Sequence, residues 1–344
     1  MNISAVHAVG TLIITRHEVA DLLSIEKCME AVENAFKLHA EGKALPPKIL
    51  GLHVQNGGFH IKAGVMATGA LSDNPGQHYY FVAKTNANFP ENLKNNGLPT
   101  IQGVIVVCDA NNGKLLALMD SLEITIIRTG AATGIAAKYL SRLDATIATI
   151  VGCGHQGMIS LKAILKVRQL EKVYVYDIDP SRKHKFAKEL ADELHISIVA
   201  VDHLEMVLKE SDIIVTCTPS KKYFLNKEDI RPGTFIAAVG ADSEDKQELE
   251  PSLLTSGKLV VDLLEQSASI GELHHALEKG VMTRADVHAE LGEIIAGRKT
   301  GRTTLEEIII FDSTGTALQD VAAAAIVYES AISGEIGVRV DFAR

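Results

Sequence analysis

Gly152, Gly154 and Gly157 stand at the spacing G-x-G-x-x-G in VGCGHQG, straight after the apolar run IATI. After a buried strand and before a helix, that spacing suits phosphate. Gly152 permits the tight turn, Gly154 lets backbone N–H groups approach a pyrophosphate, and Gly157 lets the helix pack close to the sheet. His155 and Gln156 fill the positions between and are candidate cofactor contacts too. The helix N-terminus would turn its positive end to the phosphates. The next candidate strand, KVYVYD, ends in Asp177. An acid there would bond the adenine-ribose hydroxyls and repel a 2′-phosphate, which favours NAD(H). Arg182 and Lys183 follow closely and leave NADP(H) open. Taken alone, the motif also fits a strand-to-helix turn that binds nothing. Two more stretches fall just past strand ends, CTPS with Thr218 and Pro219, and AVGADSED with Asp242. In an open parallel sheet such positions border the ligand crevice.

The elements that would position these residues are legible in outline. Thr15 and Glu18 have capping-box spacing after the short strand TLIIT. A helix over SIEKCMEAVENAFKLHAEG follows, and Gly42 marks its stop. KILGLHV, GFHIKAGV, YYFVAKTN and TIQGVIVVC are short β-rich runs separated by Gly, Asn and Pro, as in an antiparallel meander. SLEITIIRTGAATGIAAKYLSR reads as a small-residue-rich helix. Beyond it, ATIATIVG, KVYVYD, ISIVAV, DIIVTC, TFIAAVG, KLVVDL and EEIIIFD alternate with helical segments. Their near-continuous apolar character predicts parallel strands covered on both faces. The fold class expected is α/β, a Rossmann doubly wound parallel sheet plus a second α+β domain. The Rossmann domain would span 125–317. Residues 1–124 and 318–344, the latter with the Ala-rich helix GTALQDVAAAAIVYESAI, would form the other.

Composition excludes several classes of partner. The net charge of −9 argues against nucleic acid, and no polybasic stretch suggests an anionic membrane. No segment reaches the roughly 18 apolar residues of a membrane helix. The N-terminus MNISAVHAVG lacks a leader pattern, so a cytoplasmic setting is expected. Cys28, Cys108, Cys153 and Cys217 lack metal-ligand spacing and read as reduced, packed thiols, so no metal is expected.

Five blocks in order make the chain resemble the ornithine cyclodeaminase/μ-crystallin family over nearly its whole length. They are GLPTIQGVIVVCDANNGKLLALMD, IRTGAATGIAAKYLSR, VGCGHQG, AVGADSEDKQEL and FDSTGTALQDVAAAAIVYE. The resemblance implies a homodimer that binds NAD(P) and acts on amino or imino acids. Ornithine cyclodeamination, alanine dehydrogenation and cyclic ketimine reduction all occur in the family. It also implies roles. Arg128 of the I-R-T block would hold the substrate carboxylate, with Lys84 of FVAKTNANFP also at the substrate. Asp242 would transfer the proton, and Thr129 would neighbour the cofactor phosphates. Lys48, in LPPKIL, stands where many members have Arg and lacks its bidentate fork. Ornithine cyclodeaminases carry a Glu on the next strand. Here that strand is GFHIKAG, with His60 and Lys62 on one face and no acid.

Without the family, spacing leaves other roles open. Arg128 could pair with Asp120 or Glu123, Lys84 could be a solvated face residue, and Asp242 could cap a helix at SEDKQEL. With it, the cations Lys48, Lys62, Lys84 and Arg128 suit one carboxylate, and Asp242 suits an iminium nitrogen. The expected activity is NAD(P)H-dependent reduction of a small cyclic imino acid such as Δ1-pyrroline-2-carboxylate. Ornithine cyclodeaminase, an alanine dehydrogenase and a non-catalytic NAD(P)H-binding protein are the alternatives, in that order.

Overall fold

The computed structural model describes residues 10–68 and 78–342. The first nine residues, read above for a leader, lie outside that set. Two sheets dominate. The first has seven strands in the order Val338–Val340, Thr11–Ile14, Leu115–Asp120, Ile101–Asp109, His78–Asn88, Gly57–Thr68 and Lys48–Val54. The last five form the expected antiparallel meander. Thr11–Ile14 adds in parallel to Leu115–Asp120, and the C-terminal strand returns beside it.

Strand alternation gives this sheet two distinct faces. Tyr80, Val82, Lys84, Ile105 and Val107 are buried on one, under helix Ala317–Gly334. The other face carries Leu50, Leu52, Phe59, Tyr79 and Val104, between 38% and 52% exposed. So extended an apolar surface is more than an isolated soluble subunit ordinarily shows.

The second sheet has eight strands, all parallel. Its order is Ala289–Glu290, Lys258–Val261, Ile309–Asp312, Phe235–Ala238, Ile213–Thr216, Ile147–Val151, Lys172–Tyr176 and Ser197–Ala200. All seven expected strands are present. The last of them in sequence, Ile309–Asp312, inserts between two earlier ones. Strand order reverses at Ile147–Val151, so the ligand crevice opens at its carboxyl end.

Local signals explain the joints. The Thr15–Glu18 capping box is closed on both sides. Its helix stops at Leu22, and Ser24 caps a separate helix, Ile25–Ala40. Helix Leu122–Leu140 is almost wholly buried and packs along His155–Ile164. Glycine makes that approach possible, since a Cβ on Gly130 would fall 2.7 Å from Ile159. The segment SEDKQEL forms no helix. It turns into Gln247–Leu249, which pairs in parallel with Lys221–Leu225. Asp242 is therefore not a helix cap.

Candidate active site

The glycine loop has the shape its spacing predicts. Gly152 sits at φ +107°, and a Cβ there would lie 2.8 Å from the Cys217 carbonyl oxygen. A Cβ on Gly157 would fall 2.2 Å from the Gly152 carbonyl oxygen. At Gly154 nothing lies within 4 Å of that position, so the loop presents open space where a pyrophosphate needs it. Helix His155–Ile164 begins without a side-chain cap, so its first N–H groups are unclaimed by one. The Gln156 Oε1 atom is buried with no hydrogen-bond partner among the described residues. These features fit a dinucleotide.

Its neighbours are partly committed. Asp177 accepts hydrogen bonds from the backbone N–H of Cys153 and of Asp179, both at 2.9 Å. It thus holds the glycine loop in place. Lys183 is bound to Asp202 and the Val201 carbonyl, so it is not poised for a 2′-phosphate. Arg182 remains 3.8 Å from Asp177. Thr218 donates through its N–H and its hydroxyl to Glu248, while Pro219 is exposed beside it. The Thr129 hydroxyl donates to the Thr125 carbonyl and keeps only acceptor capacity for a ligand.

Lys62 and Lys84 are cross-strand partners and stand side by side on the buried face. Helix Leu122–Leu140 brings Arg128 to them. Helix Ala317–Gly334 brings an acid that sequence reasoning missed, Asp320. Its Oδ1 lies 2.7 Å from Lys84 Nζ and 3.1 Å from Arg128 Nε. Arg128 also donates to Gln319 Oε1 at 2.7 Å. Burial drives the Lys84 ammonium down to about 7, against the opposing pull of Asp320. Burial pushes the Asp320 carboxyl up, but Lys84 and Arg128 outweigh it and hold it below its ordinary value. Lys84 and Arg128 are closed off from solvent, 2% and 5% exposed. Lys84 is thus buried within this cluster and paired to Asp320 rather than open to solvent. Lys62 is the half-buried cation, and it donates to the Thr314 and Gly315 carbonyls.

Lys48 does not join this group. It pairs across the strands with Ala63, whereas Lys62 pairs with Ile49. Alternation thus turns it to the opposite face, where it is exposed. His60 does share the face of Lys62, packed over Gly51 and edge-on to His53.

Asp242 comes from the far side, past the end of Phe235–Ala238. Its side chain is 52% accessible, and Lys246 Nζ lies 2.5 Å from Oδ1. Surrounding protein pushes the carboxyl up, but Lys246, then Lys62 and His60, prevail and keep it ionised below the usual range. Buried carboxylates fix the loops around it. Glu248 accepts from Thr216, Thr218 and the Gly240 N–H, tying two crevice loops together. Asp262 accepts from the N–H groups of Thr314 and Gly315, whose carbonyls hold Lys62. Burial raises the pKa of both acids. Ser313 Oγ, Thr316 Oγ1, Gln319 Nε2 and Asp320 Oδ2 are buried without partners among the described residues. Such groups ordinarily find one, which points to a polar ligand along this segment.

A family model for the ornithine cyclodeaminase/mu-crystallin family matches residues 9–335. The chain belongs to that family. It is similar to an archaeal alanine dehydrogenase, a dimer with bound NAD, at 40% identity and TM-score 0.90, covering 96% of this chain and 99% of that one. It is also similar to the Δ1-pyrroline-2-carboxylate reductase of Thermococcus litoralis, solved with NADH and L-proline. The identity is 35% and the TM-score 0.87, over 96% and 100% of the two chains. The NAD+-bound iminosuccinate reductase of Paracoccus denitrificans is 31% identical with TM-score 0.86, over 96% and 99%.

Asp320, Glu248, Asp262 and Lys246 were not singled out by sequence reasoning. Asp320 had a signal, because it is the one charge in the run ALQDVAAAAIVY. A carboxylate in an apolar helix is buried only with a partner.

Proposed function

We propose that the protein is an NAD(H)-dependent oxidoreductase that reduces the C=N bond of a small α-imino acid, with Δ1-pyrroline-2-carboxylate to L-proline as the reference reaction. The observation that carries this is the nearness of Lys62, which shares a buried face with Lys84 beside Arg128, to Asp242, close enough for each charge to act on the other.

The glycine loop and Asp177 would hold the cofactor, which would bring hydride chemistry to the site. Lys62 meets the substrate carboxylate at the cleft surface, and the positive field of Arg128 and Lys84 deepens its hold. The carboxylate of Asp242 faces the substrate nitrogen and favours its protonated form, the better hydride acceptor. As the C=N carbon gains hydride, the π pair moves to nitrogen and the iminium charge is lost. Nitrogen then takes up a proton, for which Asp242 is the relay. In the reverse direction the same carboxylate accepts the proton of the amine. Because Lys246 keeps Asp242 ionised, the first proton arrives with the substrate.

Ornithine cyclodeaminase is less well supported, because a distal ammonium would meet Lys62 and His60, and strand Gly57–Thr68 contains no acid. Alanine dehydrogenation differs from the leading reaction only in using an open-chain imine. The test follows NADH absorbance with Δ1-pyrroline-2-carboxylate, with pyruvate plus ammonium, and with L-ornithine. Oxidation with an imino acid is expected. Failure with every imino acid overturns the reading. The placement of Asp177 and Lys183 further implies that NADH binds about tenfold or more tighter than NADPH, checked by fluorescence titration. Equal affinities would contradict that.

We also infer a homodimer, joined through the uncovered sheet face of Leu50, Leu52, Phe59, Tyr79 and Val104. The archaeal alanine dehydrogenase is itself a dimer. Sedimentation equilibrium is expected to give twice the subunit mass.

A further inference from the structure

Residues 242–246 form a turn fastened at both ends. On one side the Gly240 N–H donates to the buried Glu248. On the other, His275 Nε2 lies 2.8 Å from the Lys246 carbonyl, and the Gln247 N–H donates to the Ser220 carbonyl. Within the turn the Lys246 N–H donates back to the Ser243 carbonyl. Asp245, the nearest competing acid, is taken by Lys221 and by Ser243. The Lys246 ammonium is thereby left to Asp242 Oδ1, at 2.5 Å. Asp242 Oδ2 has no hydrogen-bond partner among the described residues.

We propose that Lys246 is the positioning residue of this site, holding one oxygen of Asp242 so that the other exchanges a proton with the substrate nitrogen. The proposal rests on the reading of the cleft as an imino-acid site. An exposed i,i+4 ion pair contributes little, because water solvates both partners and each loses side-chain entropy. This pair differs in two respects. The Lys246 side chain is only 21% accessible, and its backbone is pinned on both sides. The packed stem leaves the Lys246 side chain fewer conformers to lose on pairing.

The charged and titratable groups acting on Asp242 are Lys246, Lys62 and His60. Lys62 is bound to carbonyls of another segment, and burial lowers the pKa of His60. Lys246 is thus the principal group that sets the proton affinity of Asp242. In the amine-oxidising direction Asp242 must be ionised, so rate falls as pH drops through its pKa. Removing the ammonium raises that pKa and moves the fall to higher pH.

The experiment measures kcat/KM against pH with NAD+ and L-proline or L-alanine, for the wild type, Lys246→Met and Lys246→Arg. Lys246→Met is expected to move the acid limb upward by about one pH unit, and Lys246→Arg to restore it. NADH affinity and melting temperature report whether the fold is intact. A limb that stays put in Lys246→Met overturns the proposal. So does an equal upward shift in both variants. A wild type that turns over neither amino nor imino acids overturns instead the reading beneath it.

Discussion

Asp320→Ala is expected to destabilise the protein by about 3–5 kcal/mol and to abolish turnover. The acid sits between two cations, and all three are buried. Its removal leaves Arg128 charged and unpaired, since a guanidinium does not shed its proton in a protein. Lys84 differs because burial has already brought it to about 7. Without Asp320, which pulls it upward, it falls further and can become neutral. The sign of the pH effect follows. Well below pH 7 the variant must hold two unpaired cations or pay to deprotonate Lys84. Above pH 7 Lys84 is neutral in both proteins and only the Arg128 deficit remains. The loss of stability should therefore be larger at pH 6 than at pH 9. Denaturant unfolding at the two pH values checks it, with melting temperature lower by roughly 5 °C. A stability unchanged to within about 0.5 kcal/mol would show that Asp320 does not hold this cluster together.

Asp242→Asn should lower kcat by about 10² to 10⁴ in both directions while NADH affinity stays within about twofold. The amide keeps the shape of the side chain but loses its charge. It can neither favour a protonated C=N nor accept a proton from the amine. Asp242 is bound to Lys246 and not to the glycine loop, so that loop and its hold on NADH should be unchanged. Steady-state rates, with fluorescence titration of NADH, test both halves. A variant that keeps kcat within about threefold would remove Asp242 from the chemistry.

Much of this was legible in the sequence because the relevant signals are local. The glycine spacing reads directly as a loop, since Gly152 and Gly157 each answer a close backbone contact and Gly154 leaves open space. The parallel strands read as apolar runs, and their existence did not depend on their order. That order was not readable. Ile309–Asp312 inserts between earlier strands, and only tertiary packing decides such an insertion. The site divides in the same way. Arg128, Lys84 and Asp242 came from blocks with family likeness. Lys48 came from family likeness too, but strand alternation turns it to the face opposite Lys62. Asp320, Glu248 and Asp262 escaped because their work is to hold backbone and cations from segments far away. Nothing next to them in sequence announces those partners.

The most direct test of the central claim is the amount of NADH consumed per L-proline formed from Δ1-pyrroline-2-carboxylate. The account predicts mole-for-mole consumption, with L-ornithine giving no L-proline. L-Proline formed from L-ornithine on catalytic NAD+, with no NADH consumed by the imino acid, would contradict it.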